Sequence, residues 1–218
     1  MGLLNVRSMA KKAPVILDII LQNNLDVLLT TETWLTPSNF ESVLQVACPP
    51  EHAFYHQSRD GRRGGGVAIQ LRKSYRGKQI WFSNITTFEY VAVVLKKEEW
   101  KDPVLLVNVY FPPGYNRGAF NAFLSEFGML LDHINGVCDH VIFTGDFNIH
   151  VDQGHQPSTI EFYRLLQQFG LKQHVDTQTH NRGHTLDLVF TREVDVSDLI
   201  VVDPHISDHS IVIFKLSP

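Results

Sequence analysis

Four short segments carry side chains that could act together on a phosphate or a metal ion. In residues 141–150 an apolar run reaches Gly145 and is followed by Asp146 and Asn148. Residues two apart in extended backbone face the same side, about 7 Å apart, so the pair would present a carboxylate and an amide to one spot. Ordinary strand-to-turn exits also use Asp and Asn, and spacing alone leaves both readings open. In residues 204–210, Asp208 stands beside His209 directly before the last apolar run. Such a pair can hold a metal or phosphate and move a proton, or belong to a solvated loop. Glu32 follows the run 27–29 and would supply a hard oxygen ligand of the kind magnesium takes, although a lone acid is more often plain surface. Asp187 lies inside the apolar run 186–190. An acid there is costly unless paired, so a specific partner is expected, with a histidine the obvious candidate.

These residues need elements to carry them. β-Branched and apolar runs at 27–29, 67–69, 90–95, 104–110, 141–143, 186–190 and 211–214 read as strands, several buried on both faces. Helical spacing of apolar residues covers 13–23 and 118–135, and a capping-box pattern at 158–161 opens a third helix that stops near Gly170. Strands outnumber helices about two to one without strict alternation, which favours two sheets packed face to face with helices outside over one doubly wound sheet. No repeat, low-complexity tract or linker divides the chain, so residues 1–218 are expected to form a single domain.

Composition narrows the function classes. The net charge is −4, from 19 Lys+Arg against 23 Asp+Glu, so a phosphate-bearing partner must be met locally rather than by bulk charge. A nuclease remains open, because carboxylates can recruit a cation that faces the phosphate. Cys48 and Cys138 match no metal or redox spacing and read as free thiols in a reducing compartment. No window has the length of apolar residues that a membrane span needs, and residues 1–7 lack a signal peptide's apolar stretch.

Taken in order, the pieces resemble the endonuclease/exonuclease/phosphatase superfamily: Asn5 in Leu4-Asn5-Val6-Arg7-Ser8, Glu32 before Thr33-Trp34, Tyr110 ahead of Pro112-Pro113, Gly145-Asp146-Phe147-Asn148, Asp187, and Ser207-Asp208-His209. Within it the chain is similar to the apurinic-like endonuclease domain of non-LTR (LINE-type) retrotransposons, through residues 63–69 and 179–188 especially. The resemblance spans nearly the whole chain. It implies an α/β, four-layered sandwich of two packed mixed sheets flanked by helices. It also implies roles: Glu32 as the principal metal ligand, with Asn5 beside it and Asp208 supporting the metal or water network. Asp146 would orient or deprotonate the attacking water, with Asn148 holding the water and the phosphate. Asp187 would pair with His209, which binds the scissile phosphate along with Tyr110. Ser207, Thr179 and Arg63 would touch the substrate. A carboxylate-rich site without a Cys/His quartet points to Mg2+, with Mn2+ able to substitute.

The implied activity is nicking of one strand of double-stranded DNA to leave a 3′-hydroxyl and a 5′-phosphate. In the parent elements that end primes a reverse transcriptase carried in the same polyprotein, which implies a nuclear site of work and no membrane. Alternatives on the same scaffold are an abasic-site repair enzyme, a lipid phosphatase, or a domesticated DNA-binding derivative that no longer cuts. Two departures stand out: the first strand has only about four residues before Asn5, and Phe111 occupies a position where relatives often carry Arg. The chain reads either as an excised polyprotein domain or as a free-standing derivative.

Other features carry less. Gly64-Gly65-Gly66 lacks the Lys-Ser/Thr and following helix of a phosphate loop and precedes a strand, so it reads as a turn or close backbone approach. His174, His180 and His184 lack cysteines or a helical pair and read as surface or DNA-facing rather than zinc ligands. Arg59, Arg62 and Arg63 fit a DNA-backbone contact or a plain solvated loop.

Overall fold

The computed structural model describes residues 1–59, 61 and 63–217. In chain order the elements are β1 (Gly2–Asn5), α1 (Ala13–Gln22), β2 (Val27–Thr31), α2 (Phe40–Ala47), β3 (His52–Gln57), β4 (Val67–Arg72), β5 (Arg76–Ile80) and β6 (Glu89–Lys96). Then come β7 (Val104–Tyr110), α3 (Arg117–Asn135), β8 (Val141–Asp146), α4 (Pro157–Gln168), β9 (Lys172–Gln173), β10 (Asp187–Arg192), β11 (Asp195–Val202) and β12 (Ile211–Ser217). The strands form two six-stranded mixed sheets, ordered β11-β12-β1-β2-β4-β3 and β5-β6-β7-β8-β10-β9. Leu3, Leu29, Ile69 and Val212 of the first sheet meet Val91, Val93, Leu106 and Val189 of the second in one buried layer. Helices α1 and α2 cover the outer face of the first sheet through Ile16, Ile20 and Leu44. Helices α3 and α4 cover the second through Phe123, Phe127 and Phe162. The result is the expected four-layered α/β sandwich. No helix among the described residues is long and apolar enough to cross a membrane.

Strand direction explains why the chemistry gathers at one rim. Each sheet has one parallel pair, β1 with β2 and β7 with β8. Asn5, Tyr110 and Asp146 are the last residues of β1, β7 and β8, and Glu32 follows the last residue of β2. The antiparallel neighbours begin where these end: Asp187 opens β10 directly opposite Asp146, and His209 precedes β12 beside β1. Gly145 lets β8 lie against β7 here. Its φ is +144°, and a Cβ would collide with the backbone of Val109, its register partner.

Helix α4 starts differently from expectation. Gln156 is the cap residue and makes no side-chain cap bond, and Pro157 opens the helix, where its missing N–H costs nothing. Thr159 turns its hydroxyl to the carbonyl of His150 instead (3.0 Å), tying the helix to the segment that follows Asn148.

Phe147, between Asp146 and Asn148, is fully buried among Phe123, Phe127, Phe162 and Phe190 at ring-centroid distances of 5.1–6.5 Å. It anchors the two polar residues to the aromatic core. Phe147→Ala should lower unfolding free energy by about 3–5 kcal/mol, read from urea titration, whereas Phe147→Leu should cost much less.

Candidate active site

The centre of the rim is Asn5. Its Nδ2 donates to Glu32 Oε1 (3.1 Å) and to Asp146 Oδ2 (2.7 Å), joining the two sheets across 141 residues of sequence. Its Oδ1 accepts the backbone N–H of Arg7 (3.0 Å), which fixes the amide's orientation. Asn5 therefore offers hydrogens, not oxygen, to the carboxylates. It clamps the two acids together and stands beside Glu32, the residue expected to be the principal metal ligand. Glu32 also accepts from the Tyr110 hydroxyl (3.1 Å) and from Trp34 Nε1 (3.1 Å). Glu32 has a left-handed φ of +50°, a conformation an L side chain enters at a cost, and backbone bonds from Ser8 to Glu32 and from Thr33 to Gly66 hold it there. Asn148 (φ +49°) donates through Nδ2 to the Phe111 carbonyl (2.9 Å), and its backbone N–H bonds Asp146 Oδ1 (3.0 Å).

Asp146, Asp187 and His209 form a buried cluster with ligand atoms within 4.8 Å of one another. Asp187 Oδ2 accepts from His209 Nδ1 at 2.7 Å, leaving Nε2 as the ring atom available to the cleft. Burial alone would lower the His209 pKa. The charge of Asp187 and its hydrogen bond, then Asp146 and Asp208, outweigh burial and raise it to about 9. Complete burial raises the Asp146 carboxyl well above the ordinary carboxylate range, and the neighbouring Asp187 charge adds to this against His209 and Asn5. Burial, then Glu32 and Asp146, push the Tyr110 phenol upward, so it stays a hydrogen-bond donor.

Asp208 pairs with Arg7 and lies 3.5 Å from His180 Nε2. Partial burial would raise its pKa, but a backbone hydrogen bond and the neighbouring His209, Arg7 and His180 bring it below the usual value. Ser207 donates to the carbonyl of Asn5 (2.7 Å) and ties the Asp208-His209 turn to β1. Thr179 is completely buried, and its Oγ1 accepts the backbone N–H groups of Leu186 and Asp187, each at 3.0 Å. In this geometry Thr179 holds the strand that presents Asp187. Arg63 is exposed, 5.4 Å over the Trp34 ring. Arg59 is nearly buried, bonded to Glu89, and stands 5.4 Å over the Tyr110 ring, while Arg62 lies outside the described residues.

Glu32, Tyr110, Asn148, Asp208 and His209 border a cleft of about 430 Å³ that is also lined by His150, His180, Arg182 and His184. His180 Nδ1 accepts the backbone N–H of Arg182 (3.1 Å), so its proton is on Nε2, facing Asp208. That tautomer suits a donor to Asp208 better than a metal ligand. The His150 and His184 rings lie 4.0 Å apart at a tilt of 39°, with His184 held by Asp152. The donor set fits a hard divalent cation, because Glu32 and Asp208 are oxygen donors on one cleft. The buried Oδ1 of Asp208 has no hydrogen-bond partner among the described residues.

Trp34, Arg7, Glu89, His150 and Asp152 were not singled out from sequence. Trp34 lies two residues beyond Glu32, a spacing that could have pointed to it. Arg7, Glu89 and Asp152 act on partners distant in sequence and leave no local signal.

The fold is shared with several solved structures. The endonuclease domain of TRAS1, a telomere-specific non-LTR retrotransposon, superposes with a TM-score of 0.72 at 15% identity, covering 98% of this chain and 95% of that one. The 3′ phosphatase NExo from Neisseria, bound to a product DNA hairpin, gives 0.76 at 17% identity over 100% and 98%. An AP endonuclease from Archaeoglobus fulgidus gives 0.74 at 15% identity over 100% and 98%. No curated protein matches at the level of sequence. The endonuclease/exonuclease/phosphatase family profile matches residues 2–209, nearly the whole chain and every rim residue described above, and the chain belongs to that family.

Proposed function

We propose that this chain is a magnesium-dependent endodeoxyribonuclease, with manganese able to substitute, that nicks one strand of duplex DNA and leaves a 3′-hydroxyl and a 5′-phosphate. The observation that carries the reading is the bridge from Asn5 to Glu32 and Asp146, with the donors Tyr110 and His209 in the same cluster. It brings a base, Asp146, up against a cleft that carries the oxygen donors Glu32 and Asp208 and the hydrogen-bond donors Tyr110 and His209, a grouping that suits in-line phosphodiester hydrolysis.

In this reading Asp146 takes a proton from water as the water oxygen bonds to phosphorus, and Asn148 steadies both. The bond from phosphorus to the 3′ oxygen breaks, and that oxygen takes up a proton from solvent. His209, oriented through Nδ1 by Asp187, donates from Nε2 to the charge growing on the phosphate. The Tyr110 hydroxyl can exchange Glu32 for a phosphate oxygen. A divalent cation held by Glu32 and Asp208 would neutralise the phosphate and the leaving oxygen. The wider role proposed is that of target-primed retrotransposition, in the nucleus, with a reverse transcriptase domain extending the new end.

Supercoiled plasmid should be nicked with magnesium or manganese and left intact in excess chelator; undiminished nicking with chelator would remove the metal from the reading. The nicks should be sealed by ligase and extended by polymerase without prior phosphatase treatment. Cutting confined to abasic DNA would favour a repair enzyme, and binding without cutting a domesticated derivative.

His209→Ala and Asp146→Ala should each slow nicking by about a hundredfold or more while the protein stays folded. The His209 pKa is raised above its unfolded value of 6.5, so the charged ring is stabilised at lower pH and that contribution is lost as pH rises through about 9. Activity should therefore decline through that range, and Asp187→Asn should move the decline to lower pH. An alkaline limb that does not move in Asp187→Asn would take His209 out of it.

Asn5→Ala should lower the rate by about tenfold or more, because Glu32 and Asp146 lose the amide that holds them together. It should also weaken magnesium binding in calorimetry. Unchanged metal affinity and rate would show that the bridge is structural only.

A further inference from the structure

The end of the sandwich opposite the cleft has its own concentration of charge. Residues 72–78 and 96–101 contain Arg72, Lys73, Arg76, Lys78, Lys96, Lys97 and Lys101, seven of the chain's 19 Lys and Arg in a molecule of net charge −4. Arg72 is paired with Asp26 at 2.6 Å, and Lys97 is 3.7 Å from Glu99. Lys73, Arg76 and Lys96 make no ion pair among the described residues. Arg76 and Lys96 are direct partners across the β5–β6 ladder, and both are exposed. Like charges directly opposite one another cost stability, and here the pairing adds nothing to the fold that a neutral pair would not.

These side chains surround a concavity of about 340 Å³, lined by Lys73, Ser74, Arg76, Lys96 and Lys97, with Glu98 also on its wall. Strand β7 runs from Val104 at this end to Tyr110 at the cleft, so the two places are about 20 Å apart. The concavity is therefore separate from the residues assigned to hydrolysis.

We infer that this basic concavity is a second nucleic-acid site, one that holds backbone phosphates without reading sequence. A protein interface is centred on buried apolar anchors, and an interfacial lipid contact inserts them. The lining here supplies four cations and a hydroxyl against the single carboxylate of Glu98, and no exposed large apolar side chain belongs to it. Backbone phosphates need only such donors, and an anion between Arg76 and Lys96 turns their repulsion into shared attraction. The competing account is that the cations simply guard edge strand β5 against pairing with another chain.

The test uses the whole chain and an Arg76→Gln/Lys96→Gln variant, followed by amide NMR shifts. A single-stranded oligonucleotide of about 12 residues should shift residues 73–76 and 96–98 saturably. The variant should bind there about tenfold more weakly, with a shallower salt dependence, while nicking of short duplexes is unchanged. Without nucleic acid and at low salt, the variant should melt about 1 °C or more above the unaltered chain, because the like-charge pair is gone. Amides in these segments that ignore the oligonucleotide would overturn the inference and leave edge protection. So would an equal response to the same concentration of inorganic phosphate, which marks a small-anion site, or a response to phosphatidylserine vesicles alone.

Discussion

Carboxylates buried where two apolar sheets meet are the constraint around which this molecule is organised. Asp146 and Asp187 have no exposed surface, and Glu32 is only partly exposed beside them. Isolated acids in such a place would be intolerable, and each is answered by a specific group. Asn5 supplies hydrogens to two of them, the His209 ring answers Asp187, and Tyr110 and Trp34 complete Glu32. The parallel pair in each sheet, Gly145 and the left-handed backbone at Glu32 all serve to bring these groups to the same rim.

The interior of the fold was legible and its margins were not. Seven of the eight inner strands are marked by apolar runs, and β1, only four residues long, is reached through the family resemblance alone. The four unrecognised strands, β3, β5, β9 and β11, are the four sheet edges. An edge strand has neighbours on one side only, so its sequence need not be apolar: β11 alternates half-buried and exposed residues and includes Asp195 and Asp198. Helix α2 escaped for a similar reason, since its eight residues bury only Leu44 and Ala47. The site residues were reachable because functional groups at strand ends interrupt apolar runs. Their partners were less so: nothing near Thr179 says that its hydroxyl will cap the N–H groups of Leu186 and Asp187.

A second layer of support lies behind Tyr110. Glu89, its cross-strand partner, bonds Arg59 and accepts the Gly66 N–H at 2.6 Å, and Gly65 and Gly66 in turn accept from Trp34 and Thr33. The glycine run is thus a close backbone approach that closes a ring of contacts from Glu32 through Trp34 back to Tyr110. A substitution at Gly65 or Gly66 would be felt by two carboxylate-facing donors at once, although neither glycine lies on the cleft wall.

The placement of β12 has a consequence for how the chain acquires its site. This strand comes last in sequence, yet it lies inside its sheet between β11 and β1, and the turn leading into it carries Asp208 and His209. Ser207 reaches back 202 residues to Asn5. Contacts between such distant parts of a chain form slowly, because the loop between them must close before any energy is returned. A chain still emerging during synthesis has Glu32 and Asp146, and β1 can pair with β2, but His209 and the second neighbour of β1 are missing. The bridge from Asn5 to Glu32 and Asp146 can form without this strand, but the cluster gains His209 and Asp208 only when β12 is inserted beside β1.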